Sequence, residues 1–156
     1  MLYRISEYLD DMLRNDEWEG IDGSTNGIQV ENSGDVSKVA FAVDASIQTI
    51  ETANEENADM LVTHHGIIWG GIDRVTGQEY ARIRRLVESD MALYASHLPL
   101  DAHERIGNNV LLLKQIDATP QETFGAVGGQ DVGYVGRLPS PMEFDELVYE
   151  IEDAVG

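Results

Sequence analysis

Apolar runs and amphipathic segments alternate along residues 36–97. The apolar runs have the length of buried strands, and the segments between them repeat their apolar residues at helical spacing. We therefore predict strands over 36–44, 59–65 and 91–97, with helices over 46–58 and 78–90. Strands separated by helices are joined by right-handed crossovers, so this order predicts a mainly parallel sheet.

Segments on both sides of this alternation extend the same architecture. Their patterns predict helices over 3–14, 108–116 and 142–155, and strands over 26–30 and 131–138. A chain of 156 residues is long enough to bury a hydrophobic core. The predicted fold class is therefore α/β, a mainly parallel sheet with flanking helices, and we assign residues 1–156 to a single domain.

The charge of the chain limits its partners. Asp and Glu number 29 against 10 Lys and Arg, for a net charge of -19, and only Lys38 and Lys114 are lysines. This field repels nucleic-acid backbones and anionic lipids. The scarcity of lysine favours a surface adapted to high salt, where screening over about 3 Å at 1 M suppresses self-repulsion. An ordinary acidic cytosolic protein is the alternative.

No apolar run approaches the roughly 20 residues that a membrane-spanning helix needs, and the first residues lack the apolar core of a signal peptide. We therefore expect no membrane partner and a cytoplasmic location. The chain has no cysteine, which excludes disulfides and thiolate metal sites. A metal ion would need imidazole and carboxylate ligands.

Histidines follow two neighbouring predicted strands. His64 and His65 end one strand, and His97 and Asp101 follow the next. Because ligands of parallel α/β sheets bind at the carboxyl ends of the strands, these side chains are predicted to share one edge. Spacing alone leaves open whether they bind metal or are ordinary hydrogen-bonded polar residues.

Adjacent residues within a strand point to opposite faces, so His64 and His65 could not share a metal ion there. At the end of the strand, with Gly66 freeing the backbone, each imidazole can serve one of two adjacent ions. Asp101 would supply an oxygen. Since Pro99 disfavours a helical Leu98, the segment that leads to Asp101 is predicted to be an extended loop. The donor types suit Zn, Fe, Mn, Co or Ni.

Nearby residues have simpler explanations beside a functional one. For His103 we favour a surface position or a role that supports the ligands. Trp69 either lines the site or packs elsewhere. Asp44 ends a strand at the same edge, and capping the next helix is its simplest role, although Ser46 is also a plausible cap.

The segments "LVTHHGIIWGG" (61–71) and "SHLPLDAHERIGNN" (96–109) resemble the family of GTP cyclohydrolase 1 type 2 homologs, also called Nif-three-like dinuclear metal proteins. "TNGIQV" (25–30) and "VAFAVDAS" (39–46) resemble its opening segments in the same order. The resemblance implies an α/β fold, a two-metal site and a homo-oligomer, often a hexameric ring. It also implies that His64, His65 and Asp101 are metal ligands, and we give His97 an orienting or substrate-binding role.

The chain departs from the family pattern in one respect. Members usually close the site with a later histidine and a glutamate four residues beyond it, and no histidine follows His103. The last predicted strand and helix also have no strand after them. We therefore expect the usual C-terminal part of the domain to be missing here.

The leading functional hypothesis is a metal-dependent hydrolase that acts on a GTP-like purine nucleotide, as the resemblance implies. No P-loop is present, because "GGID" and "GAVGG" lack the Lys-Ser/Thr ending. A phosphoesterase with an Asp-His-His motif is less favoured, since Thr63 stands where the aspartate belongs. A non-catalytic metal-binding assembly or regulatory protein is the alternative of another class. The sequence does not identify a general base or another catalytic residue.

Overall fold

A computed structural model describes residues 1–155, in which Met1–His97 form one compact unit and the residues from Leu98 onward form a second. The first unit contains helices α1 (Leu2–Leu13), α2 (Ile47–Glu55) and α3 (Gly77–Glu88). Its strands are β1 (Gly27–Val30), β2 (Val39–Asp44), β3 (Met60–His65) and β4 (Ala92–Ala95). The second unit contains α4 (Leu98–Ala102), α5 (Asn108–Gln115), β5 (Thr119–Val127), β6 (Gln130–Arg137) and α6 (Phe144–Val155).

The four strands of the first unit form one sheet in the order β1-β4-β3-β2. β2, β3 and β4 are parallel, and β1 is antiparallel to β4. The predicted α/β class with a mainly parallel sheet is confirmed. The assignment of residues 1–156 to one domain stays a prediction.

The core of the first unit lies between the sheet and helices α2 and α3. Leu61 and Leu93, paired in register on β3 and β4, are fully buried against Ile50 and Leu86 of the two helices. Each such side chain contributes about 1.5–3 kcal/mol through burial. Ser46 begins α2 as predicted, because its hydroxyl accepts a hydrogen bond from the backbone N–H of Thr49 at 3.1 Å.

A polar network lies beside Tyr94, which is fully buried on β4. Its hydroxyl donates to Asp10 Oδ1 at 2.8 Å and accepts from Asn15 Nδ2 at 2.8 Å. Burial, and next the hydrogen bond to Asp10, raise the pKa of Tyr94. The phenol therefore stays neutral and ties α1 and the following turn to the sheet.

Within the second unit, β5 and β6 form an antiparallel hairpin. Gly128 and Gly129 connect the strands, and both have positive φ angles, 59° and 94°. Two-residue hairpin turns favour glycine for this reason. β6 was predicted and is confirmed, but β5 was not predicted, because Pro120 and Gly125 interrupt its pattern.

The segment after β4 corrects one prediction. Leu98–Ala102 is a short helix and not an extended loop. Pro99 stands in its first turn, where a missing N–H removes no intrahelical bond and the fixed φ angle suits a helix.

Among the described residues, no helix is long and apolar enough to span a bilayer.

Candidate metal centre

The carboxyl ends of β2, β3 and β4 meet at one edge of the sheet. Asp44, the last residue of β2, is in register with His65, the last residue of β3. Thr63 is in register with Ala95 at the end of β4, two residues before His97. The parallel register therefore brings polar side chains from three strand ends to the same edge, as the sequence predicts.

The imidazoles of His64, His65 and His97 form a cluster at this edge. Their ring centroids lie 4.4 Å (64 to 65), 4.9 Å (64 to 97) and 5.5 Å (65 to 97) apart. One nitrogen of each ring lies within 4.8 Å of the others, which is close enough for the group to hold a metal ion. All three residues are half-buried.

Two of these imidazoles are held by groups at the ends of neighbouring strands. His64 Nδ1 lies 3.2 Å from the carbonyl oxygen of Ser96. His65 Nδ1 lies 2.7 Å from Asp44 Oδ1. Asp44 therefore orients a histidine, and the capping role that the sequence favoured belongs to Ser46.

His97 is held by a buried carboxylate. Its Nδ1 lies 2.9 Å from Asp22 Oδ1, and the side chain of Asp22 is only 1% exposed. Asp22 also accepts hydrogen bonds from the backbone N–H of Ser24 at 2.9 Å and from Asn26 Nδ2 at 3.0 Å. Asn26 Oδ1 in turn accepts the backbone N–H of His97 at 2.8 Å. The loop before β1 is thus built around this histidine.

These partners fix the tautomers of the cluster. Carbonyl and carboxylate oxygens only accept hydrogen bonds, so each of the three Nδ1 atoms must carry the hydrogen. Nε2 of each neutral ring then keeps its lone pair. Metal-binding histidines are commonly oriented in this way by an oxygen acceptor on the other ring nitrogen. The cluster consequently presents three nitrogen donors of the kind that Zn and similar ions accept.

Trp69 borders the cluster. Its ring contacts His97 edge-on at a centroid distance of 4.9 Å and lies 6.1 Å from His65. The indole Nε1–H donates to the carbonyl oxygen of Gly66 at 3.2 Å, which fixes the ring against the strand end. Of the two roles considered for Trp69, the structure supports lining the site.

Gly66 is required for space and not for backbone freedom. Its φ angle is not positive, but a Cβ atom there would collide with the side chain of Gln29. Gln29 Oε1 accepts the backbone N–H groups of Ile67 at 2.6 Å and Ile68 at 3.1 Å. This amide holds the loop that carries Trp69.

Asp101 lies on α4 in the second unit, where its Oδ1 accepts a hydrogen bond from Asn108 Nδ2 at 2.9 Å. Its role as a ligand stays a prediction, as do the ligand roles of His64 and His65 and the orienting role of His97.

A surface position for His103 is wrong, because His103 is 7% exposed. Its Nδ1 accepts the backbone N–H groups of Arg105 and Ile106 at 3.2 and 3.3 Å, closing a turn.

Sequence reasoning missed Asp22. It stands 75 positions before His97, in a stretch without periodic pattern. The only signal was its place in "DGSTN" (22–26), which overlaps the "TNGIQV" segment (25–30) that carries part of the family resemblance. The fold and the cluster together define an α/β protein with a histidine site suited to metal at the carboxyl edge of its sheet.

The particular family follows from comparison with known proteins. The chain belongs to the Duf34/NIF3 (NGG1p interacting factor 3) family, because the sequence pattern of that family matches residues 1–156. It is 45% identical over 154 residues to the GTP cyclohydrolase 1 type 2 homolog of Archaeoglobus fulgidus, covering 99% of this chain and 62% of that protein. The namesake from Halobacterium salinarum is 48% identical over 128 residues, which cover 81% of this chain and 50% of that protein.

Solved structures agree with this assignment. The protein ybgI, described as of unknown function, is 30% identical and superposes with a TM-score of 0.87, over 98% of this chain and 60% of its own. TTHA1606 from Thermus thermophilus is 41% identical with a TM-score of 0.70, over 76% of this chain and 50% of its own. The chain therefore spans about half to three fifths of the length of these relatives.

Proposed function

We propose that the histidine cluster binds divalent metal ions and that the chain forms part of a metal-dependent hydrolase. The observation that supports this most directly is the convergence of three imidazoles whose Nδ1 atoms all face oxygen acceptors. Such orientation leaves the three Nε2 atoms directed by the fold before any ion binds.

The proposed ligands are His64, His65 and Asp101, and the proposed number of ions is two. Zn, Fe, Mn, Co and Ni remain the candidate ions, since imidazole and carboxylate donors suit all of them. His97 is proposed to orient a ligand or to meet substrate, and its ring lies near enough to His64 to supply a third nitrogen.

When bound, a metal pair lowers the pKa of a coordinated water molecule to about 7 and polarises the bond under attack. The residues of this chain hold and orient the ligands. Asp44 fixes His65 and Asp22 fixes His97, while Trp69 gives the site an apolar wall beside His97.

The names of the curated relatives suggest the substrate class. They are called GTP cyclohydrolase 1 type 2 homologs, so we propose a purine nucleotide substrate and hydrolysis in its imidazole ring. We further propose that the full-length protein is cytoplasmic and assembles as a homohexameric ring. The excess of 29 acidic over 10 basic residues in the chain is proposed to suit high salt.

Elemental analysis of the purified chain tests the metal site. We expect Zn, Fe, Mn, Co or Ni to copurify with the wild type and to be lost in the His64→Ala His65→Ala variant. Asp101→Asn tests the predicted oxygen ligand, and His97→Ala tests whether that ring binds metal or only orients. His103→Ala serves as the histidine control, because this ring closes a separate turn. Unchanged metal content in the double variant contradicts the ligand assignment.

Turnover separates the hydrolase from a non-catalytic metal-binding assembly. The full-length protein, loaded with Mn, Zn or Fe, is incubated with GTP, and the ring-opened product is measured by chromatography. We expect product from the wild type and none from the His64→Ala His65→Ala variant. Tight metal binding without turnover of GTP would contradict the cyclohydrolase proposal and favour the assembly protein.

A further inference from the structure

A cavity of about 580 Å³ lies between the loop over 66–76 and helix α3. Trp69 and Gly66 line this cavity and also border the histidine cluster. Ile68, Ile72 and Ile83 supply apolar wall. The volume falls in the range of small-molecule sites, which are mainly apolar and contain a few placed polar groups.

Two arginines line this cavity and offer it donors that the fold leaves unsatisfied. Arg82 lines the cavity, and its Nε–H is buried without a hydrogen-bond acceptor among the described residues. The other nitrogens of Arg82 contact Glu79 Oε1 at 3.3 Å and, at the limit of hydrogen bonding, the Ala45 carbonyl oxygen at 3.5 Å. A buried donor without an acceptor is unfavourable by about 1–3 kcal/mol, so such groups are few in folded proteins and each needs an explanation.

Arg74 is the second arginine of the cavity. It is exposed and forms no hydrogen bond or ion pair within residues 1–155. Basic residues are scarce in this chain, yet four of the ten, Arg74, Arg82, Arg84 and Arg85, lie within residues 74–85. Arg84 and Arg85 are paired with Glu88 and Glu51. Within this stretch the cavity therefore contains one guanidinium without a partner among the described residues, that of Arg74, and one unsatisfied Nε–H, that of Arg82.

Two carboxylates also line the cavity, Asp73 and Glu79. Glu79 forms an ion pair with Arg82. The two arginines and two carboxylates of the cavity together have a formal net charge of zero. Long-range attraction by the cavity is therefore weak. Selectivity would come from the planar guanidinium donors, which match the oxygens of phosphate groups.

We propose that this cavity binds the phosphate group of a small organic phosphate through Arg82 and Arg74, with the body of that molecule against Trp69. Anion binding by the cavity does not depend on metal. The placement of the other end of the molecule at the histidine cluster rests on the proposed function, because that placement assumes that the reaction takes place at the histidines. The sequence contains no P-loop motif that would bind phosphate. In this proposal the cavity binds the phosphate group instead.

Calorimetric titration of the metal-free chain, prepared with a chelator that is then dialysed away, tests the proposal. The probes are inorganic phosphate and guanosine monophosphate, in low-salt buffer. We expect Arg82→Gln and Arg74→Gln each to weaken binding of both probes about ten- to hundredfold, as the loss of a charged hydrogen bond does. Arg84→Gln, on the same helix and outside this cavity, should bind as the wild type does.

Trp69→Leu separates the two halves of the site. It should weaken binding of guanosine monophosphate several-fold and leave inorganic phosphate unchanged, because stacking on an aromatic ring acts on the base alone. Arg74→Gln alters no contact of the fold, so its result stands even if Arg82→Gln does not fold. The proposal is overturned if the wild type binds neither probe, or if both arginine variants bind as tightly as the wild type.

The His64→Ala His65→Ala variant distinguishes this inference from the proposed metal site. In metal-free buffer it should bind both probes as the wild type does, because the histidines are not part of the anion site. Loss of binding in this variant would place the anion on the imidazoles and overturn the cavity proposal. Absence of metal from the wild type, with anion binding intact, would refute the proposed function and leave the cavity proposal in place.

Discussion

Asp22 and Asp44 make the same kind of hydrogen bond to a histidine in very different surroundings. Asp22 is 1% exposed and accepts from His97 at 2.9 Å, whereas Asp44 is 65% exposed and accepts from His65 at 2.7 Å. Replacing each aspartate by asparagine keeps the shape and removes one acceptor. We expect the free energy of unfolding to fall by about 2–4 kcal/mol in Asp22→Asn and by less than about 1 kcal/mol in Asp44→Asn.

The larger value follows from the arrangement of donors around Asp22. Its Oδ1 accepts from Ser24 N and His97 Nδ1, and its Oδ2 accepts from Asn26 Nδ2. An amide placed with its nitrogen at the Oδ2 position would face the Asn26 amide nitrogen. Asn26 cannot simply flip, because its Oδ1 already accepts the backbone N–H of His97. One donor is therefore left facing another, and the charged hydrogen bonds are lost as well.

Urea unfolding of the metal-free variants, followed by circular dichroism, measures these differences. The slope of the free energy against urea should be the same in all variants, so that midpoints report stability alone. Metal affinity should also fall about 10–100-fold in Asp22→Asn if His97 contributes to the site. A stability loss below about 0.5 kcal/mol in Asp22→Asn, or equal losses in the two variants, would refute this reasoning.

Three further predictions concern stability. Gly66→Ala should lower the free energy of unfolding by about 1–3 kcal/mol in chemical denaturation, because the new Cβ displaces Gln29 from the loop it holds. Tyr94→Phe should lower it by about 1–3 kcal/mol at neutral pH, since Asp10 loses a buried partner. Because the pKa of Tyr94 is raised, its stabilising contribution is fully present below the unfolded value of about 10 and declines as the pH rises above it, so the stability difference between wild type and Tyr94→Phe should shrink above pH 10. Backbone N–H groups lower the pKa of Asp59, so its stabilising contribution should be present above about pH 3.9 and disappear as the pH falls further.

Matched variants control these measurements. Gly23→Ala adds a methyl group where no atom lies within 4 Å and should leave stability nearly unchanged, unlike Gly66→Ala. Tyr80→Phe removes a hydroxyl from a half-exposed ring and should change the free energy of unfolding by less than about 0.5 kcal/mol. Asp59→Asn should abolish the part of the acid-induced loss of stability that comes from protonation of Asp59. A stability profile of Asp59→Asn parallel to that of the wild type down to pH 2 would contradict the assignment.

Much of the fold is predictable because strand and helix periods are local. The alternation over 36–97 predicts the three parallel strands and two helices that the structure contains. The meeting of His64, His65 and His97 is predictable for a related reason, since parallel strand ends share an edge. Prediction fails where local rules allow two outcomes. Pro99 disfavours a helix at the preceding residue, yet it also suits the first turn of one.

The anchoring of the cluster was beyond sequence reasoning for a different physical reason. Asp22 reaches His97 only because an irregular loop returns to the sheet edge, and its path has no period to detect. Asp44 could have been predicted to contact His65, since the two are in register on adjacent strands. Helix capping is the simpler role for Asp44 in the sequence, but Ser46 is the residue that caps α2.

Each imidazole of the cluster is tied to a part of the chain far away in sequence: 32 positions for Ser96 and His64, 21 for Asp44 and His65, and 75 for Asp22 and His97. An ion that joined these rings would act as a cross-link among the loop before β1 and the ends of three strands. Its binding energy would then add to folding energy through mass action. The thermal midpoint of this chain would rise with the concentration of free metal, so the supply of the ion would govern how long the folded protein survives as well as what it does.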